Sequence, residues 1–174
     1  PSNRRSMLRN RSISFSSFLI LVGLGQMLVI TNGPGNIDLS IPYTLAFAGS
    51  FSLKMTAGTD QGIFFGLVVA ILSGMIIGML NFALIRYALI PPMIATLANS
   101  FVIRTLTIVF FRGMLIKPPK ALEHFVNTKI LALPTLFVLM VLLSIVVHVI
   151  LHKTSFGRGI QAIGQNTKAA YLSS

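Results

Sequence analysis

Side chains able to perform acid–base or metal chemistry are few in this chain of 174 residues. The three carboxylates, Asp38, Asp60 and Glu123, are widely separated, which argues against paired-carboxylate catalysis and against an all-protein site for a hard cation. His148 and His152 could share one helix face, but zinc needs a further ligand and no carboxylate lies nearby. Cysteine is absent, which excludes disulfides and thiolate sites. The sequence therefore predicts no catalytic constellation, no metal site and no cofactor.

The composition indicates a membrane protein. Hydrophobic residues make up 54% of the chain and charged residues only 10%, with a mean hydropathy of +0.84, whereas about a quarter of the residues in soluble domains are charged. The net charge is +11, and the basic residues lie mostly beside apolar runs, as in membrane proteins. Because aromatic and basic residues are not interleaved as in a nucleic-acid-binding module, no nucleic acid is expected as a partner. No phosphate-binding loop of the G-x-x-x-x-G-K-[ST] type occurs, so we do not expect the chain itself to hydrolyse ATP.

The apolar runs predict an all-α polytopic membrane protein, because about 20 apolar residues in a helix span a bilayer. A basic N-terminal arm over residues 1–12 precedes a transmembrane bundle over residues 13–151, and a polar segment over residues 152–174 ends the chain. About five transmembrane or re-entrant helical segments are expected, over residues 13–31, 37–53, 63–85, 93–111 and 131–151.

The second segment is the doubtful one, because its apolar part, residues 41–53, is short for a span. Ser40 is placed to cap a helix that begins near Ile41, and Pro42 suits the first turn of that helix. If all five segments cross, the termini face opposite sides of the membrane, although both are basic and favour the cytoplasm. Either this segment does not cross, or the natural chain has another span upstream. The basic loop over residues 112–129 leaves the orientation of the N-terminus open.

Polar and small residues within the spans are candidates for structural or functional roles. Arg104 lies well inside an apolar run, where a charge is costly and usually functional or paired, and we favour structural pairing over contact with a solute. Asn99 lies in the same span, where hydrogen bonding between helices explains it at least as well as a polar pathway. Gly74 and Gly78 form a G-x-x-x-G pair, a spacing that predicts close helix packing.

The segment after the last span has the pattern of a docking element. Gly164 predicts a flexible turn, and Asn166 could cap a short helix that carries the small residues Ala169 and Ala170. Such a helix could dock in a groove of a partner. A basic segment next to a span could equally lie on anionic membrane lipid. The residues alone leave both interpretations open.

Three ordered motifs resemble those of the permease subunits of bacterial ABC-type simple-sugar importers, the ribose-permease family. Residues 35–40, G-N-I-D-L-S, are similar to the family's G-I-D-L-S segment, with an inserted asparagine. Residues 92–97, P-M-I-A-T-L, and the following Arg104 are similar to its F-I-A-T-L…R-G segment. Residues 154–173 resemble T-x-x-G-R…A-x-G-G-N-x-x-A-A-x-x-S-G, the family's coupling loop, although Gln165 replaces one glycine. The match covers nearly all of residues 18–174.

This resemblance implies a permease component of an ATP-driven sugar importer, within a larger bundle in the bacterial inner membrane. The implied partners are an ABC ATPase subunit, a periplasmic sugar-binding protein and a second permease subunit, identical or homologous. Asp38 and Ser40 would organise a break in the membrane helix, and Arg104 would brace the bundle. The residues implied to couple to the ATPase are Gly164, Asn166, Ala169 and Ala170. The alternative is a membrane fragment or accessory protein without transport of its own, and the sequence does not identify a sugar.

Overall fold

The computed structural model describes residues 2–130 and 133–166, and these residues form an all-α fold typical of a polytopic membrane protein, which confirms the predicted class. A 3₁₀ turn, Asp60–Gly62, precedes the third helix. Two short strands, β1 (Lys129–Ile130) and β2 (Leu133–Pro134), pair antiparallel. The helices are α1 (Ser2–Thr31), α2 (Ile41–Thr56), α3 (Ile63–Arg86), α4 (Pro92–Phe111), α5 (Lys120–Asn127), α6 (Thr135–Lys153) and α7 (Ser155–Gln165).

Three stretches in the described part of the chain are helical, long and apolar enough to cross a membrane: Asp60–Arg86, Pro92–Phe111 and Thr135–Lys153. The apolar part of α1, Phe15–Thr31, is shorter. With 16 residues, α2 is about 24 Å long, which is less than the ~30 Å hydrocarbon core of a bilayer. The second segment is therefore a helix, but a short one.

Two helix starts differ from the apolar boundaries in the sequence. Helix α1 already begins at Ser2, so the basic arm continues into the first helix. Helix α6 begins at Thr135 rather than near residue 131, because β2 occupies the preceding positions. Pro134 has φ −57° and ψ 136°. Its ring restrains φ near this value, and it has no N–H to donate. The division into arm, bundle and tail stays a prediction.

The chain forms two compact units, one of residues 1–36 and 124–174 and one of residues 37–123. In the first unit, α1 packs against α6, and α7 packs against both of these helices. In the second unit, α2 packs against α3 and α4.

Small residues bring α2 and α3 together in the second unit. A Cβ atom on Gly66 of α3 would lie 2.7 Å from the Ser52 Oγ of α2 and 3.1 Å from the Thr56 Cγ2. Only glycine allows this approach without a shift of the neighbouring side chains. Close helix packing therefore occurs at Gly66.

Aromatic and cationic contacts join the C-terminal ends of α2 and α4. The Phe47 and Phe51 rings of α2 lie 5.7 and 6.4 Å from the Phe111 ring of α4, measured between centroids. The Lys54 Nζ donates a 3.0 Å hydrogen bond to the Phe110 carbonyl oxygen and lies 5.5 Å from the Phe111 ring centroid. A cation is favourable at a helix C-terminus and over an aromatic face, so Lys54 stabilises this end of the unit.

Candidate functional site

A cluster of polar side chains lies at the opposite end of the second unit, where α2 begins. Asp38 and Ser40 precede α2, Asn81 comes from α3, and Asn99 comes from α4. Ser40, Asn81 and Asn99 are 1%, 5% and 8% exposed, while Asp38 is half-buried. The segment before α2 and the helices α3 and α4 therefore bring their polar groups into one place.

These four side chains, the polar cluster, form a continuous chain of hydrogen bonds. The Asn99 Nδ2 donates to the Asn81 Oδ1 at 2.6 Å, and the Asn81 Nδ2 donates to the Ser40 Oγ at 2.7 Å. The Ser40 hydroxyl then donates to the Asp38 Oδ1 at 2.6 Å, and the Ser40 N–H donates to the same oxygen at 2.8 Å. In this series of hydrogen bonds, each side chain donates to the next one in the direction of the Asp38 carboxylate. Such a chain is cooperative, because each hydrogen bond polarises the next.

The polar cluster lies away from the ends of two candidate membrane spans, α3 and α4. Asn81 is five residues before Arg86, the last residue of α3, and is therefore about 8 Å from the end of that helix. Asn99 is seven residues after Pro92, the first residue of α4, and is about 10 Å from its start. Polar groups at such a depth are costly unless they are paired or serve a function.

A small open cavity of about 200 Å³ lies beside the polar cluster. Asp38, Ser40 and Asn81 form its polar part, together with Thr44. The remaining lining residues, which are apolar or small, are Ile41, Leu45, Gly74, Ile77 and Gly78. The cavity therefore presents a carboxylate, hydroxyls and an amide in an apolar surrounding.

Thr96 of α4 holds the segment that carries Asp38. Its Oγ1 accepts a 3.1 Å hydrogen bond from the Leu39 N–H, and it lies 3.2 Å from the Ile37 carbonyl oxygen and 2.9 Å from that of Pro92. Thr96 is 2% exposed. Since this hydroxyl contacts backbone groups on both sides of Asp38, it fixes the carboxylate at the start of α2.

Ser40 is at the N-cap position of α2, but its side chain makes no capping hydrogen bond. The expectation that it caps the helix is wrong, because its hydroxyl is engaged with Asp38 and Asn81. Pro42 is in the first turn, as predicted.

The predicted site residues are only partly brought together. Asp38, Ser40 and Asn99 lie together, and Asn81, which was not predicted as a site residue, joins them. An asparagine inside the apolar run 63–85 was the signal that could have identified it. Arg104 is exposed on α4 and makes no hydrogen bond or ion pair with the residues that the structure describes. Its bracing role stays a prediction.

Gly74 and Gly78 do not lie at a close helix contact within the described chain. A Cβ atom on either residue would meet nothing within 4 Å, and both residues line the cavity beside Asp38. Their predicted packing role stays a prediction, and it would require residues other than those that the structure describes.

The segment after α6 forms the helix α7, which is held tightly to the end of α6. The Thr154 Oγ1 caps α7 by accepting from the Gly157 N–H at 3.1 Å, and it also donates to the Ile150 carbonyl oxygen at 2.6 Å. The Gln161 Nε2 donates to the Leu151 carbonyl oxygen at 3.2 Å. These bonds satisfy carbonyl groups that a helix end otherwise leaves unpaired.

Two glycines allow α7 to pack against two helix ends. A Cβ atom on Gly157 would clash with the carbonyl oxygens of Ile150 and Leu151 in the last turns of α6. A Cβ atom on Gly164 would clash with the carbonyl oxygen of Thr31, the last residue of α1. Gly157 and Gly164 are seven residues apart and share one helix face, which we call the glycine face.

This geometry corrects the predicted turn at Gly164. The residue lies in the last turn of α7, where its backbone packs against α1. Asn166 is the C-terminal cap of α7, and its N–H donates to the Ala162 carbonyl oxygen at 3.0 Å. Ala169 and Ala170 lie outside the described residues. No three side chains suited to binding a metal come together within residues 2–130 and 133–166.

Comparison with known proteins identifies the family. Residues 9–173 match the family model described as branched-chain amino acid transport system / permease component. A ribose import permease protein of Bacillus subtilis is 34% identical over 181 residues, which cover 99% of this chain and 52% of the relative. A galactofuranose transporter permease protein of Escherichia coli is 32% identical over 152 residues, 86% of this chain and 43% of the relative.

A fructose import permease protein of Bifidobacterium longum is 28% identical over 162 residues, 90% of this chain and 45% of the relative. No solved structure matches the chain significantly. The chain spans about half the length of these curated relatives. The relatives are components of transporters rather than enzymes, and their names confirm the resemblance to sugar-importer permeases. The three long apolar helices and this family match indicate an integral membrane protein. The chain belongs to the branched-chain amino acid transport system / permease component family.

Proposed function

We propose that this chain is part of the permease of an ATP-driven importer of a sugar or a similar polyhydroxylated solute. The proposed location is the bacterial cytoplasmic (inner) membrane, where residues 13–151 contribute to the transmembrane bundle. The observation that carries the proposal is the polar cluster at membrane depth beside an open cavity. The kinship with ribose, fructose and galactofuranose permeases supports a sugar as the solute.

The chemistry of the polar cluster suits a neutral solute with several hydroxyl groups. A carboxylate accepts hydrogen bonds, and an amide or hydroxyl both donates and accepts them, as a sugar hydroxyl requires. A hydroxylated solute loses hydrogen bonds to water when it enters an apolar bundle, and this loss is costly unless it is compensated. Asp38, Ser40 and Asn99 belong to a stretch of the translocation pathway that supplies this compensation, and Asn81 completes it.

The proposed coupling to ATP hydrolysis is through residues 152–174. Helix α7 is held against the ends of α6 and α1, so a force applied to the residues that follow it reaches two helices of the bundle. Asn166, Ala169 and Ala170 are proposed to contact a separate ABC ATPase subunit, while Gly164 positions α7 from within. The chain itself has no catalytic role in this scheme. A periplasmic sugar-binding protein and a second permease subunit, identical or homologous, complete the proposed transporter.

The test is solute uptake by proteoliposomes that contain the complete transporter, purified from its native membrane through this chain. Uptake of labelled ribose, fructose and galactofuranose is measured for the native chain and for the variants Asp38→Asn and Asn81→Leu. Ser73→Ala is the matched control, because Ser73 is also buried in α3 but bonds only within its own helix, to the Ala70 carbonyl oxygen.

We expect at least one of the sugars to be taken up in an ATP-dependent manner, with uptake lost in Asp38→Asn and Asn81→Leu and retained in Ser73→Ala. Native uptake in both cluster variants would show that the polar cluster is not in the pathway. Purification of an inserted chain that brings no ATPase with it would contradict the importer itself and favour a membrane protein without transport of its own.

A further inference from the structure

The contacts of α7 fix its position along the axes of α1 and α6. The glycine face touches the last residue of α1 through Gly164 and the last turns of α6 through Gly157. Since both contacts are at helix ends, α7 lies across these ends and does not project away into water. The ends of apolar helices mark the interface between hydrocarbon and headgroups. Helix α7 is therefore at the surface of the bilayer.

One side of α7 next to the glycine face is apolar. Phe156, Ile160 and Ile163 are spaced at i, i+4 and i+7, so that they form one stripe along the helix, the apolar ridge. The Phe156 side chain is 70% exposed and that of Ile163 is 48% exposed, while Ile160 is half-buried. The ridge is thus an accessible apolar surface on a helix of 11 residues.

The other sides of α7 are polar or small. Ser155, Gly159 and Ala162 lie opposite the glycine face, and all three are exposed. Arg158 is exposed as well, and Lys153 precedes the helix at the end of α6. No acidic residue occurs in the 51 residues from His124 to Ser174. No Asp or Glu side chain in this part of the sequence can therefore pair with Lys153 or Arg158. Arg158 lies on the side of α7 opposite the ridge, because it is two residues from both Phe156 and Ile160. A helix at this level with an apolar stripe on one side and a cation on its polar side has the properties of an interfacial membrane helix.

We propose that α7 is a lipid-binding helix, with its apolar ridge inserted among the acyl chains and with Lys153 and Arg158 against the phosphates of anionic lipids. This arrangement would hold the C-terminal end of α7 at the bilayer surface. The inference rests on the membrane placement of α1 and α6, but it depends neither on the transported solute nor on an ATPase.

The test is a spin-label accessibility scan, which the absence of native cysteine makes direct. Single variants Phe156→Cys and Ile163→Cys report on the ridge, and Ala162→Cys, on an exposed polar side of the same helix, is the matched control. Each labelled chain is reconstituted in phosphatidylglycerol vesicles. Collision rates are measured with oxygen, which concentrates in lipid, and with a nickel chelate, which stays in water.

We expect labels at positions 156 and 163 to collide mainly with oxygen and the label at 162 mainly with nickel. In phosphatidylcholine vesicles, or after Arg158→Gln combined with Lys153→Gln, the labels on the ridge should become more accessible to nickel. Nickel accessibility at 156 in phosphatidylglycerol would overturn the proposal, because the ridge would then face water. Low accessibility to both reagents at 156 would also overturn it, because protein would then cover the ridge. The label at 162, measured in the same kind of vesicle, shows whether α7 is folded with its polar side toward water. The labels at 156 and 163 then either support the proposal or contradict it.

Discussion

Asn99 of α4 donates a 2.6 Å hydrogen bond to the side-chain oxygen of Asn81 in α3, and both residues are buried. The bond joins two neighbouring apolar helices, and little of either side chain is exposed. It is also the first link in the chain of donors that ends at Asp38. The polar cluster therefore has a structural role, in addition to the role in transport that we propose.

The two asparagines should be energetically coupled. Asn99→Ala leaves the Asn81 Oδ1 without its donor, and an unsatisfied buried acceptor costs about 1–3 kcal/mol. The double variant Asn81→Leu/Asn99→Leu removes both partners. Its loss of stability should therefore be smaller than the sum of the losses in Asn81→Leu alone and Asn99→Leu alone. Thermal unfolding of the purified chain in detergent measures these differences. Additive effects would show that the two amides do not interact.

Thr96→Val should loosen the segment before α2 without changing the volume of the side chain. The Leu39 N–H loses its acceptor, and amide hydrogen exchange at Leu39 should become faster while exchange in the middle of α3 stays the same. Thr105→Val is the control, because the Thr105 hydroxyl is exposed and bonds only to the Phe101 carbonyl oxygen of its own helix. Equal protection of Leu39 in both variants would contradict the role given to Thr96.

Alanine substitutions at two glycines of α7 should have opposite effects. Gly164→Ala places a methyl group against the Thr31 carbonyl oxygen and should lower the melting temperature. Gly159→Ala meets no atom within 4 Å, and the higher helix propensity of alanine, worth up to about 1 kcal/mol, should raise it. Thermal unfolding followed by circular dichroism compares the two variants. A stabilising Gly164→Ala would mean that α7 does not pack against α1 in this way.

Two glycines of α3 allow a similar comparison. Gly66→Ala should destabilise the chain, because its methyl group would lie 2.7 Å from the Ser52 Oγ, whereas Gly74→Ala should not destabilise it. If Gly74 and Gly78 pack against a second permease subunit, Gly74→Ile should weaken self-association of the chain. Thermal unfolding measures the first effect, and Förster transfer between labelled chains in vesicles measures the second. Unchanged transfer in Gly74→Ile would contradict the packing role predicted for this pair.

The helices could largely be predicted from the sequence, because a helix in a bilayer must be apolar over most of its length. The apolar runs 63–85 and 93–111 lie within one residue of α3 and α4. Helix ends at polar residues were harder to predict, since the pattern at Ser2 and at Gly164 is compatible with both helix and coil. Pro134 could have indicated the later start of α6, because proline is common before or in the first turn of a helix.

Within the candidate site, residue types could be predicted but not their partners. Asp38, Ser40 and Asn99 were identifiable as polar residues near or within apolar runs. Their connection depends on Asn81, which is 41 residues from Ser40 and 18 from Asn99 in the chain, and no local pattern specifies such contacts. The same holds for Gly164, whose role follows from the distant Thr31.

If α2 crosses the bilayer in the transporter that we propose, its shortness affects the electrostatic barrier that a hydrated solute would meet. Its 16 residues cover about 24 Å of a hydrocarbon layer of about 30 Å. Where a helix is too short, the bilayer thins locally or polar flanking groups enter it. At the start of α2 the flanking groups are Asp38 and Ser40, so the low-dielectric layer would be thinner along this helix than along α3. In the transporter that we propose, a solute that follows α2 would keep its hydration, or an equivalent set of hydrogen bonds, for a larger part of the crossing.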